Sequence, residues 1–136
     1  MKNLYQDTIV APATTPGTGA ISIVRISGPE TFRIVNAVVQ LKSGTISGAK
    51  AYTIHFGNVF LEDGSLLDEV LVSVFRAPHS YTGEDAVEIS THASAYIVQE
   101  LTGLLLKAGA RFAEPGEFTR RAFLNGKMDL AQAEAS

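Results

Sequence analysis

Apolar and polar positions along the chain alternate between a period of two and a period near 3.6, and the changes of period predict the elements. Thr8-Ile9-Val10-Ala11 is a short apolar strand, followed from Pro12 to Gly19 by a loop rich in Pro, Thr and Gly. Ala20 to Ser27 is apolar on both faces, which predicts a central strand. Ser27-Gly28-Pro29-Glu30 has the form of a capping box with Pro in the first turn, and Phe32, Val35, Val38 and Val39 extend a helical stripe to about Gln40. Lys42 to Lys50 is a loop. Tyr52 to Phe60 and Leu66 to Arg76 flank Glu62-Asp63-Gly64-Ser65, a hairpin by its Asp-Gly turn. A polar loop from Pro78 to Glu84 leads into a strand from Asp85 to Thr91. Ile97, Val98, Leu101, Leu104, Leu105 and Ala108 then form an amphipathic helix ended by Gly109, and Ala110 to Ala113 is a final short strand.

Near the C-terminal end, Pro115 and Gly116 interrupt the pattern and a short helix follows, with Glu117 suited to the positive end of its dipole. Phe118, Ala122 and Phe123 give that helix an inward aromatic stripe, leaving Arg120, Arg121 and Asn125 to project elsewhere. Asn125-Gly126 ends it and leaves Lys127 on a turn, before Asp129 opens a second helix with Gln132 three residues on. The five prolines all fall at element boundaries. A hairpin and more strands than long helices predict an α+β fold, with a mixed or antiparallel sheet and helices packed on it. Asp129 to Ser136 carries no helix stop, so the expectation is a domain over residues 1–126 and the start of a truncated helical domain over 127–136.

A chain of 136 residues is enough for one domain with a real core. The absence of cysteine excludes a disulfide scaffold, thiolate zinc sites and a cysteine nucleophile. With no signal-peptide core and no apolar run near the roughly 20 residues of a membrane span, the expectation is a soluble, cytoplasmic protein without membrane contact. A net charge of −3 argues against a surface built mainly for nucleic acid, although Lys107, Arg111, Arg120, Arg121 and Lys127 make the C-terminal part locally basic; ordinary solvated helix faces account for most of these five. Gly17-Thr18-Gly19 approaches a dinucleotide fingerprint but precedes a strand instead of leaving one for a helix. Gly126-Lys127 lacks the upstream glycine of a nucleotide-binding P-loop. His55, His79 and His92 have no metal-ligand spacing.

Three charged positions remain as candidates for binding. Arg25 shares a strand face with Ile21 and Ile23, so it snorkels at the strand end, pairs internally or meets an anionic ligand. Glu88 lies on the polar face of its strand with Ala86, Ser90 and His92, either solvated or as an acceptor for adjacent N–H groups. Lys127 complements a helix dipole or faces a ligand from its turn.

The run from Pro115 to Ala135, P-G-E-F-T-R-R-A-F-L-N-G-K-M-D-L-A-Q-A-E-A, resembles the signature closing the N-terminal domain of the MnmE (TrmE) family of tRNA-modification GTPases. Asp7 to Gly28 resembles the opening of that family, and so does Ser80-Tyr81-Thr82-Gly83-Glu84-Asp85; together the motifs span essentially the whole chain. The resemblance implies a domain similar to the folate-binding domain of aminomethyltransferases, holding 5-formyl- or 5,10-methylene-tetrahydrofolate through Arg25, Glu88 and Lys127. It further implies a homodimer, an FAD-dependent MnmG-type partner, and delivery of a one-carbon unit for aminomethyl-type modification of the wobble uridine, U34, of tRNA. GTP, Mg and K belong to a GTPase domain outside this chain, which by itself carries no catalytic residue. One departure stands out: Thr91-His92-Ala93-Ser94 has Ala93 where the family usually has glycine, which reduces the room for backbone to approach a ligand. The alternatives are a stand-alone folate-dependent one-carbon transferase, for which Glu88 is the single acid/base candidate, and a dimerisation scaffold without ligand.

Overall fold

A computed structural model describes residues 7–13 and 20–126. The elements run β1 (Ile9–Pro12), β2 (Ile21–Ser27), α1 (Thr31–Val38), β3 (Val39–Leu41), β4 (Thr53–Phe60), β5 (Leu66–Phe75), β6 (Ala86–His92), α2 (Ala95–Lys107), β7 (Arg111–Phe112) and α3 (Glu117–Leu124). The strands form one sheet in the order β3-β4-β5-β6-β2-β1-β7. Its pairs are antiparallel except β1 with β7, so the sheet is mixed and the fold is α+β, as the strand-rich pattern predicts.

Alternation within the strands decides which face is the core. Val24 and Ile26 of β2, Val70, Val72 and Val74 of β5, and Val87 and Ile89 of β6 point to one side, where Ile34 and Val35 of α1 and Leu101 and Leu105 of α2 cover them. Burying each such side chain stabilises the fold by about 1.5–3 kcal/mol relative to leaving it in water. The opposite side of β2 and β6 carries Ile21, Ile23 and Arg25 against His92, Ser90 and Glu88, in that cross-strand order. Part of this outer face is open to solvent, with Ile21, Ile54 and Phe56 all exposed.

Several boundaries differ from the sequence pattern for identifiable reasons. The capping box at Ser27 does not form: Ser27 is the last residue of β2, its hydroxyl donates to Glu84 Oε1 at 2.7 Å, and α1 starts at Thr31 after Glu30. The Glu30 amide instead donates to Thr8 Oγ1 from β1's side, at 2.8 Å. Helix α1 also stops early, because Val39 turns extended and starts β3, an edge strand paired with β4 through Leu41↔Gly57. Tyr52 takes a left-handed φ of 62°, so β4 starts one residue later than its pattern suggests. The hairpin is as expected: Asp63 Oδ1 accepts from the Ser65 amide and Gly64 has φ 89°. Ser94 caps α2 by accepting from the Ile97 amide, and Gly109, at φ 125°, follows its end.

Candidate functional site

Two of the three sequence candidates meet on the outer face of the sheet. Arg25 and Glu88 are cross-strand partners: Nε of the guanidinium donates to Glu88 Oε2 at 3.0 Å, and Nη2 stands 3.0 Å from the same oxygen as an ion pair. Each side chain keeps 27% of its exposure, so the pair sits in a recess rather than in the core. Because both contacts fall on Oε2, Oε1 receives no hydrogen bond from the described residues and remains available as an acceptor. The Arg25 guanidinium lies 5.4 Å from the Tyr81 ring centroid and 5.5 Å from that of Phe118, within range of cation–π attraction to both. Phe75, Tyr81, Thr82 and Ala86 complete the walls of a recess of about 150 Å³ around the pair. Whole small-molecule sites usually exceed about 300 Å³, so this recess suits one ring-sized end of a ligand.

Sequence reasoning missed what holds Tyr81 and Phe118 in place. Arg121 is fully buried, contrary to the expectation that it projects away from the packed stripe of α3. Its Nη1 donates to the Asp7 carbonyl at 3.0 Å and to Glu84 Oε2 at 3.1 Å, and its Nη2 to Asp7 Oδ1 at 2.8 Å and Glu117 Oε2 at 3.1 Å. Arg111 grips Glu117 with two nitrogens, at 2.6 and 3.0 Å, and reaches Asp7 Oδ2 through Nε at 2.6 Å. Such burial is tolerable because each charge has opposite charges within hydrogen-bond distance. The Thr82 side chain bonds that of Ser27, the Asn125 amide donates to the Thr82 carbonyl, and the Tyr81 hydroxyl bonds Thr119 Oγ1. The loop of Ser80 to Asp85 is therefore tied to both β2 and α3, which carries an aromatic ring to each side of this knot.

The electrostatics follow from that packing. Burial pushes the Glu117 carboxyl up, but hydrogen bonds from Arg111 and the Glu114 amide, with the charges of Arg111 and Arg121, outweigh it and bring it to about 2. The Arg111 hydrogen bond likewise holds Asp7 below the ordinary carboxylate range against the effect of its burial, with Arg121 adding to it. These groups are saturated by one another and position the recess rather than bind in it. One signal was available: Glu117 and Arg121 are four apart on one helix, the spacing of an ion pair.

The third candidate, Lys127, lies outside the described residues, as do the Gly17-Thr18-Gly19 segment and the helix expected from Asp129. Ala93 is exposed, five residues beyond Glu88, and donates its amide to the Ala20 carbonyl at 3.0 Å; it does not line the Arg25–Glu88 recess. Among the described residues no group of three or more His, Asp or Glu side chains is placed to hold a metal ion.

Comparison with known proteins agrees with the motifs that converge here. The sequence model described as GTP-binding protein TrmE N-terminus matches residues 8–127. The chain is 55% identical to a tRNA modification GTPase MnmE of Flavobacterium johnsoniae over 133 residues, 97% of this chain and 28% of that protein. It is 56% identical to the protein of the same name from Bacteroides thetaiotaomicron, over 97% of this chain and 28% of the relative. With its namesake in Listeria innocua it shares 51% identity over 95% of the chain. It therefore spans between a quarter and a third of the length of these relatives. By these matches the chain belongs to the MnmE/TrmE family as its N-terminal domain.

Proposed function

We propose that this domain is the tetrahydrofolate-binding and dimerisation module of a tRNA-modification GTPase, with residues 1–126 as the folate domain and 127–136 as the start of a helical one. The observation that carries the reading is the recess around Arg25 and Glu88. Glu88 Oε1 is an open carboxylate acceptor at a ring-sized, aromatic-walled pocket, which suits the neighbouring N–H donors on the amino-pyrimidinone edge of a pterin. Arg25 orients that carboxylate and supplies positive charge, and Lys127 adds a cation suited to the carboxylates of the folate tail. The folate, 5-formyl- or 5,10-methylene-tetrahydrofolate, supplies the one-carbon unit when bound. In the longer protein, GTP hydrolysis with Mg and K resides in another domain, and an FAD-dependent MnmG-type partner completes the aminomethyl-type modification of U34 in tRNA, in the cytoplasm. No helix among the described residues is long and apolar enough to cross a membrane.

Titration of the chain with 5-formyltetrahydrofolate tests this reading. Arg25→Ala and Glu88→Ala each remove charge-assisted hydrogen bonds of about 1.5–3 kcal/mol, so affinity falls roughly ten- to hundredfold while circular dichroism stays unchanged. A second reading, a scaffold that dimerises without folate, draws on the fact that Arg25 and Glu88 already satisfy each other. No saturable folate binding by the wild-type chain selects the scaffold, and equal binding by wild type and both variants removes Arg25 and Glu88 from the site.

A further inference from the structure

At the far end of β6 from Glu88 stands a dyad that the folate reading does not use. Asp68, at the start of β5 and 8% exposed, accepts from the His92 amide through Oδ2 at 2.9 Å and bonds His92 Nδ1 through Oδ1 at 2.8 Å. A carboxylate can only accept at Nδ1, so a proton sits there, and in the neutral form of the ring Nε2 carries the bare lone pair. The His92 side chain is 77% exposed, and this fixed acceptor borders an open trough of about 320 Å³. Ile21, Phe56 and Leu71 give the trough apolar walls, while Ser90 lies on the same strand face two residues before His92. Four residues at about 3.3 Å each place His92 roughly 13 Å along β6 from Glu88, beyond the ring-sized recess there.

The chemistry of the trough narrows what it can take. Glu69 puts a carboxylate at its border, already paired with Lys42 at 3.2 Å, so anions are disfavoured. A metal ion lacks a ligand set among the described residues. Apolar walls favour a ring, Nε2 accepts from an N–H, and Ser90, two residues or about 7 Å before His92 along the strand, brings a hydroxyl that can donate to a carbonyl of the same ring. We infer that the Asp68–His92 dyad and Ser90 form a second binding site, for a neutral planar heterocycle that presents a lactam or imide edge.

Uracil and pterin both carry that edge, and 1,3-dimethyluracil keeps the ring and carbonyls but has no N–H. Binding is followed by NMR at the His92 ring nitrogens and protons, with each compound raised to about 20 mM because so small a ligand gives only millimolar affinity. Uracil or pterin shifts the His92 signals saturably, 1,3-dimethyluracil binds at least about tenfold more weakly, and the one of lower Kd identifies the source of the ring. His92→Ala, on an exposed side chain, abolishes the effect read at Ser90 and Ile21 amides, whereas Arg25→Ala leaves it intact. Equal binding of uracil and 1,3-dimethyluracil, loss of binding in Arg25→Ala, or unshifted His92 signals with both uracil and pterin overturns the assignment. A failure confined to folate titration leaves these signals unaffected, so the two readings are separable.

Discussion

Arg121 is the residue on which the most charge converges, and its removal defines the first expectation. In Arg121→Met the volume is kept but Asp7, Glu84 and Glu117 lose their shared cation, a change that costs about 3–5 kcal/mol when a buried partner is removed. Urea denaturation measures this, and adding Glu84→Gln to Arg121→Met recovers part of the loss; additive losses would mean the two side chains are not coupled. Protonation reaches the same cluster from the other side. The folded Glu117 carboxyl titrates at about 2 against an ordinary 4.5, so its contribution is fully present above about pH 4.5 and is lost as pH falls toward 2. Urea midpoints between pH 6 and 2 should therefore decline more steeply in wild type than in Glu117→Gln. Sequence alone placed Arg25 on the strand face of Ile21 and Ile23 and Glu88 on that of Ser90 and His92, since a period of two is a local property. It could not place Arg121, because a charged residue reads as solvated until its three distant carboxylates are brought to it.

At the scale of elements, helix α3 shows the same division. Its ends were legible: Glu117 starts it, and Gly126 follows it with φ 73°. Its buried side was not, because Glu117, Arg121 and Ala122 face inward while the aromatic Phe118 and Phe123 are only half-buried. Strand β3 was hidden for a different reason. The apolar helical stripe of α1 runs on through Val39, and only pairing with β4 pulls that residue into the sheet. A direct check lies at Gly57, where a Cβ would stand 2.7 Å from Val39 Cγ1 and 3.1 Å from the Gln40 carbonyl. Overpacking of this kind costs about 1–3 kcal/mol, so Gly57→Val should lower stability and speed hydrogen exchange selectively in β3; uniform acceleration over all strands would contradict a local role.

For the molecule as a whole, the motifs and the comparisons agree on family, and the sheet order explains why motifs far apart in sequence act together. Asp7 enters from β1's end, Glu84 from the loop before β6, and Glu117 with Arg121 from α3. Their common product is the wall of the Arg25–Glu88 recess, which presents groups for binding but pairs no acid or base with a nucleophile. The proposed reading of this chain as a binding module carries the prediction that it neither releases phosphate from GTP nor turns over an added folate. Phosphate release from GTP that co-purifies with the chain and is lost in no contaminant-depleted preparation would contradict this. The fold class was readable because strand and helix periods are local, whereas the order of strands depends on contacts across the whole chain.

The bond from Arg121 to Asp7 spans 114 residues. At a synthesis rate of about 5–20 residues per second, that separation corresponds to a wait of roughly 6 to 23 s between the emergence of the two partners. Through most of that interval β1 lacks both its parallel neighbour β7 and the two cations that neutralise Asp7, Arg111 and Arg121, so the nascent sheet has an open edge at β1. The knot that shapes the recess thus cannot close before α3 emerges, so the walls of the recess are complete only after nearly all of the described residues have been made.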